Sequence, residues 1–245
     1  YAENLPAKNM KSQLIFGTGA TGSSIILVTP DSERTMNTYL GANREFTKGD
    51  INFDIVADSR FLYFTGYMWD TDLQKQAVMS AIEIGKRNGA VVAFDVADPF
   101  AVNRNRDAFI ELIEKNVDIV FANREEAKLL FGTETANDAA EKLSTVCDIA
   151  VVKDGAAGSL VKRSHGAVER IPVRNVKAVD TTGAGDMYAA GFLYGIISGL
   201  SDREAGICAS YLASRVVETW GAQFPPDKRE EVAQEVITGS WRFTD

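Results

Sequence analysis

The chain of 245 residues predicts an α/β fold, a mainly parallel sheet covered by helices on both faces, with a small strand-rich lid. Three observations carry that expectation. From about residue 60 onward, short β-rich apolar runs alternate with helical stretches, the pattern of crossover units. The first fifty residues differ, with β-rich pieces set beside glycine- or proline-bearing turns. The length fits one large α/β domain better than two small ones. Residues 1–50 are therefore assigned to a partial β-rich lid and its connecting segment, and 51–245 to the α/β core.

In chain order, residues 1–10 read as the tail of an amphipathic helix. Residues 12–16 and 23–29 (SIILVTP at its heart) are β-rich, and 35–40 is a third short strand ending at Gly41-Ala42-Asn43. FLYFTG (61–66) reads as a buried strand, and 72–88 as a helix stopped by Gly89. Strands follow at 91–96, 118–122 and 149–153, separated by helices at 106–115, 124–131 and 138–146. SLVKR (159–163) and AVERIPV (167–173) flank Ser164-His165-Gly166, a hairpin signal. Helices at roughly 184–198, 202–219 and 227–238 close the chain.

Composition narrows the function. The apolar share of 45% supplies an ordinary globular core. A net charge of −8 argues against nucleic-acid or anionic-membrane partners, which need concentrated Lys and Arg. Cys147 and Cys208 lie far apart in apolar helical surroundings and read as buried thiols in a reducing compartment. With neither a membrane-length apolar run nor a basic-then-apolar opening, the expectation is a cytosolic protein.

The sharpest chemistry lies in Asp180-Thr-Thr-Gly-Ala-Gly-Asp186, followed by an apolar helical stretch. Gly183 and Gly185 sit at the turn entering that helix, where the first N–H groups lack intrahelical partners and the dipole end is positive. Small residues there let a phosphate approach those amides. Asp186, at the same turn, is placed to take a proton from an attacking hydroxyl. An aspartate that merely favours a helix start is the plainer reading of the last four residues.

Other motifs carry two readings each. Asn123 and Glu126 follow a strand at capping-box spacing, and a carboxylate at a strand end also suits Mg²⁺. Lys153-Asp-Gly155-Ala-Ala-Gly158 is a hairpin turn whose lysine is suited to phosphates. Gly17-Thr-Gly19-Ala-Thr-Gly22 has the spacing of a dinucleotide fingerprint, but a strand follows where a helix is required. Asp95 and Asp98 sit at the ligand end of a strand, with loop capping as the commoner role; Arg104 and Arg106 read as solvated loop residues. His165, the single histidine, falls in a turn, which leaves triads and histidine metal sites unsupported. Gly221-Ala222 follows a helix that Gly221 is suited to cap.

The seven-residue string DTTGAGD resembles the signature of the ribokinase-like sugar and nucleoside kinases, the phosphofructokinase B family, and the wording of 28–42 is similar to its adenosine-kinase-like branch. The resemblance implies a three-layer α/β/α sandwich with a β lid, Asp186 as catalytic base, and an anion hole at Gly183, Ala184 and Gly185. It implies ATP and Mg²⁺, with Asn123 and Glu126 (through water) at the metal and phosphates. Lys153, Gly155, Gly158 and Gly221 would face the nucleotide. Asp180 and Thr182 match positions that take a monovalent cation such as K⁺ in some members. Arg34 and Asn43 would lie near the acceptor, a nucleoside such as adenosine or a sugar, and a lid of this kind can mediate dimerisation.

Family members open with a strand bearing an acceptor-binding aspartate and a Gly-Gly region, and neither is visible after Tyr1. The expectation is that an N-terminal portion is missing. The competing expectation is accordingly a catalytically inactive nucleotide-binding fragment or interaction module.

Overall fold

The computed structural model describes residues 11–29 and 34–242; the helix tail expected at 1–10 lies outside them. The chain folds as a three-layer α/β/α sandwich. Its central sheet holds β3 (Phe61–Thr65), β4 (Val91–Asp95), β5 (Ile119–Asn123), β6 (Ile149–Lys153), β7 (Ser159–Arg163) and β8 (Val168–Ile171), side by side in chain order. The first four strands are parallel, and β7 and β8 add as antiparallel hairpins. Sheet order follows chain order because the parallel crossovers all use one face, so each steps the sheet the same way.

Those crossovers are α2 (Asp72–Arg87), α3 (Pro99–Asn116), α4 (Arg124–Phe131) and α5 (Ala136–Leu143). They bury Val78, Ile82, Phe109, Leu130 and Leu143 against Phe94, Val120 and Val152. On the opposite face α6 (Ala184–Ile197) and α7 (Asp202–Val216) set Phe192, Ala205 and Ala209 against Phe121, Ile149 and Val151. Neighbouring residues in one strand, such as Val120 and Phe121, thus serve opposite cores, which is why the strands are apolar throughout rather than alternating. The short α1 (Phe53–Ala57) precedes the sheet, and α8 (Pro226–Thr238) closes onto α7 through Val232, Phe224 and Val216.

Several boundaries differ from expectation for local reasons. Helix α3 begins at Pro99, seven residues earlier than the pattern suggested, because Asp98 caps it through Ala101 N–H at 2.8 Å and Pro99 suits the first turn. Asn105 leaves helical geometry there, at φ −129° and ψ 20°, which hid the first half of the helix from a periodicity reading. Arg104 and Arg106 are consequently helical, Arg104 pairing with Asp70 and Arg106 donating to the Leu129 carbonyl. Helix α5 runs 136–143, started by a Thr135/Asp138 capping box, rather than 138–146.

Residues 12–16 are exposed and irregular, not a strand. β1 (Ser23–Val28) and β2 (Arg34–Tyr39) pair only with each other, Ser23 opposite Tyr39, as a two-stranded ribbon apart from the main sheet. Among the described residues no helix is long and apolar enough to cross a membrane. Both cysteines are buried free thiols, and burial pushes Cys208 up to about 11 and Cys147 up to about 12.

Candidate active site

The parallel strands end together at one edge of the sheet, with Thr65 opposite Asp95 and Asn123 opposite Lys153. Ligands in open α/β sheets gather at this edge. Helix α6 starts nearby, with Gly183 as its N-cap and Asp186 as its third residue.

Gly183 adopts φ +81°, and a β-carbon there would meet the Ala222 carbonyl oxygen at 2.6 Å. Only glycine serves at such a position. The turn is pinned by Asp180, which is buried. One of its oxygens accepts from Thr182 N–H at 2.9 Å and Thr182 Oγ1 at 2.6 Å; the other accepts from Gly221 N–H at 2.9 Å. Gly221 therefore locks the turn after α7 to the turn before α6. It does not cap α7, whose C-cap is Val217. The first backbone bond of the helix is Met187 N–H to Gly183 O at 2.9 Å, while Ala184 N–H reaches Thr181 O at a long 3.3 Å. The positive end of α6 and the amides of its first turn thus sit at the sheet edge, and the Asp186 side chain is exposed there.

Lys153, the last residue of β6, runs beneath this helix start. Its ammonium lies 2.8 Å from Asp95 Oδ2, and a β-carbon on Gly185 would stand 3.3 Å from it. Burial works against the lysine charge, and the nearby Asp95 and then Glu126 more than offset it, so its pKa is raised. Asp95 Oδ1 accepts from Ala97 N–H at 3.1 Å. The expected capping role of Asp95 is present, with an ion pair added.

Asn123 and Glu126 form a full capping box at the start of α4. Asn123 N–H and Nδ2 each donate to Glu126 at 2.7 Å, and Glu126 N–H returns to Asn123 Oδ1 at 2.8 Å. Burial pushes Glu126 up to about 7, against the pull of Lys153. Two tyrosines complete the edge. Tyr63 is raised by burial and then by Asp95 and Asp186; Tyr67 is raised by burial and then by the nearby Asp98, with Asp186 and Glu126 adding to it.

Tyr63, Tyr67, Asp95, Asp98, Glu126, Lys153 and Asp186 thus share one electrostatic neighbourhood. Neither tyrosine was visible as a site residue in the sequence, because an aromatic inside an apolar strand, as Tyr63 in β3, or just past it, as Tyr67, reads as core; their half-exposure is a tertiary fact. The Gly155–Ala157 turn joins antiparallel β6 and β7 as a hairpin, and Arg124 of the Asn123 motif pairs with its Asp154 at 3.2 Å. Gly158, at φ +92°, packs where a β-carbon would strike the Ile171 carbonyl oxygen, whereas Gly155 faces open space. Asn43 is exposed, and its carbonyl accepts from Gln74 of α2 at 2.9 Å, which ties it to that helix rather than to the strand-end cluster. The Arg34 side chain lies outside the described residues. A hollow of 810 Å³ opens at the other end of the sheet around Asp118, Cys147 and His165, and none of the groups above lines it.

Residues 9–229 match the pfkB family carbohydrate kinase family. The chain is 30% identical over 205 residues to an uncharacterized sugar kinase of Archaeoglobus fulgidus, covering 84% of this chain and 80% of that one. It is 27% identical to a 5-dehydro-2-deoxygluconokinase of Listeria monocytogenes, over 72% of this chain and 56% of that protein. The crystal structure of adenosine kinase from Sinorhizobium meliloti superposes with a TM-score of 0.83 at 41% identity, covering 87% of this chain and 66% of that one. The chain thus spans only 56% of the Listeria protein's length and 66% of the Sinorhizobium chain's. With a family match over most of its length and the DTTGAGD turn placed at the ligand edge of the sheet, the chain belongs to the pfkB family of carbohydrate kinases.

Proposed function

We propose that the chain carries the nucleotide-binding and catalytic core of an ATP-dependent kinase, which transfers the γ-phosphate to a hydroxyl of an adenosine-like nucleoside or a sugar. One observation carries the reading. Asp186 is exposed in the first turn of α6, directly after the glycine that the Lys153 ammonium abuts.

Phosphoryl transfer asks a protein for positioning and for charge stabilisation, with little covalent chemistry. The amides of Gly183, Ala184 and Gly185 at the positive end of α6 form the anion hole for the transferring group. Asp186 takes the proton of the acceptor hydroxyl as its oxygen attacks the γ-phosphorus in line. Lys153, Asn123 and the Gly155–Gly158 turn hold the nucleotide.

With Asp95 committed to Lys153, the acidic side chains Asp98, Glu126 and Asp186 remain at this edge, a surplus that fits a hydrated divalent cation. Both Glu126 oxygens are engaged by Asn123, so the residues fit a Mg²⁺ that keeps its waters rather than a direct carboxylate cage. When bound, the ion neutralises phosphate charge. Asp180 and Thr182 are proposed as the monovalent-cation position, which a comparison of rates in K⁺ and choline salts tests.

The β1–β2 ribbon, with Ile25, Leu27 and Tyr39 exposed, is proposed as the lid, with Arg34 and Asn43 on its acceptor side and dimerisation through its apolar face. The names of the Sinorhizobium and Archaeoglobus relatives support a nucleoside and a sugar respectively. The buried free thiols support a cytosolic setting.

The second reading is nucleotide binding without turnover. One experiment separates the two: ADP release with adenosine, ribose or fructose, measured beside ATP binding on the same preparation. Acceptor-dependent release supports the kinase; binding without release supports the inactive piece; absence of both rejects the nucleotide site.

A further inference from the structure

Lys153 is largely enclosed, its side chain 18% exposed, and an ammonium so placed needs a fixed counter-charge to stay ionised. Three carboxylates act on it: Asp95, Glu126 and Asp186. Glu126 has both its oxygens engaged by Asn123, at 2.7 Å each. Asp186 is exposed in the first turn of α6 and is the base of the proposed reaction. Asp95 touches the ammonium directly, at 2.8 Å, and is itself only 5% exposed.

The pair straddles β5, joining the ends of β4 and β6. Asp95 is held at both oxygens. Its second oxygen takes the N–H of Ala97, the single non-glycine residue with positive φ among those described, at +82°. A left-handed alanine persists only where its surroundings fix it, so this carboxylate is anchored to the backbone as well as to the lysine. On the far side the ammonium lies 3.3 Å from the place a Gly185 β-carbon would occupy. That glycine leaves the charge open toward the first turn of α6.

We infer that Asp95 is a positioning residue: it holds the Lys153 ammonium, charged, beneath the phosphate-binding turn, so that the site favours a triphosphate over a diphosphate. The inference rests on the kinase reading above. Without the Asp95 charge, the ammonium loses the one carboxylate that touches it directly.

The test is the ratio of ATP to ADP affinity, measured by titration calorimetry at fixed Mg²⁺ for wild type, Asp95→Asn, Lys153→Met and the double variant. A general loss of structure weakens both nucleotides and leaves their ratio alone. The expected result is a ratio about 10- to 100-fold lower in Asp95→Asn, the scale of a hydrogen bond to a charged group. Lys153→Met should lose a similar factor. The double variant should match Lys153→Met, because Asp95 acts only through the lysine. A wild-type ratio in Asp95→Asn overturns the inference, as does a double variant that loses the product of both single effects. Should Asp95→Asn fail to fold, the comparison of the double variant with Lys153→Met still decides, with equality supporting the inference and a further fall rejecting it. Wild type that binds neither nucleotide removes the kinase reading and this inference with it. Wild type that prefers ATP while Asp95→Asn keeps the preference removes the inference alone.

Discussion

Asp186 and Glu126 are both carboxylates at the third position of a helix, yet their surroundings give them different work. Glu126 is buried and committed to Asn123, while Asp186 is exposed at the sheet edge. Asp186→Asn should therefore lower acceptor-dependent kcat by at least about 100-fold, the scale of general-base catalysis, with ATP affinity nearly unchanged; steady-state kinetics and calorimetry on one preparation check this. For Glu126 the sign follows from its raised pKa. The folded protein holds this proton up to about pH 7, whereas the unfolded chain releases it near 4.5. Its contribution is most favourable below the unfolded value and is lost as pH rises through 7. Urea midpoints from pH 4.5 to 7 should fall in wild type relative to Glu126→Gln, and parallel profiles would contradict the assignment. In the sequence, Asn123 and Glu126 read as a cap when taken alone and as a phosphate-metal site beside DTTGAGD; the structure shows the cap in full, and the metal role stands as part of the proposal.

Helices α6 and α7 meet through small residues. A β-carbon on Gly191 would stand 2.8 Å from Ala209 Cα, and one on Gly195 2.7 Å from Ala205 Cα. Close approach of this kind sets the depth of the second core, where Phe192 meets Phe121 edge-on at 5.7 Å. Gly191→Ala improves helix propensity by about 1 kcal/mol, yet it should destabilise the protein by about 1–3 kcal/mol through overpacking. Chemical denaturation measures the sign directly. Most elements were legible because their apolar pattern agrees with their burial, continuous in β5 and β6 and helically periodic in α2. The first half of α3 was not, since Asn105 interrupts the period while Asp98 and Pro99 begin the helix. The strand expected at 12–16 failed for a different reason: its apolar residues find no neighbouring strand, and Leu14, Ile15 and Phe16 stay exposed.

Among the described residues the two largest cores lie on either side of one sheet, with the proposed site at the carboxyl edge of its parallel strands. A ligand that bridges β4, β5, β6 and α6 stabilises the folded state by mass action. ATP with Mg²⁺ at about 100 times its Kd should add about 2.7 kcal/mol and raise the melting temperature. Asp186→Asn should keep that shift, and calorimetric scans with and without nucleotide check both statements. The alternation of strand and helix, the apolar strands and the DTTGAGD turn are local patterns, so the order of residues by itself determined the α/β architecture and the candidate base. The pairing of Asp95 with Lys153, the locking of Gly221 to Asp180 and the edge contact of Tyr63 with Phe121 join residues 58, 41 and 58 positions apart. Only the tertiary structure decided those, because a side chain's partner depends on which strands become neighbours, and no local preference encodes that.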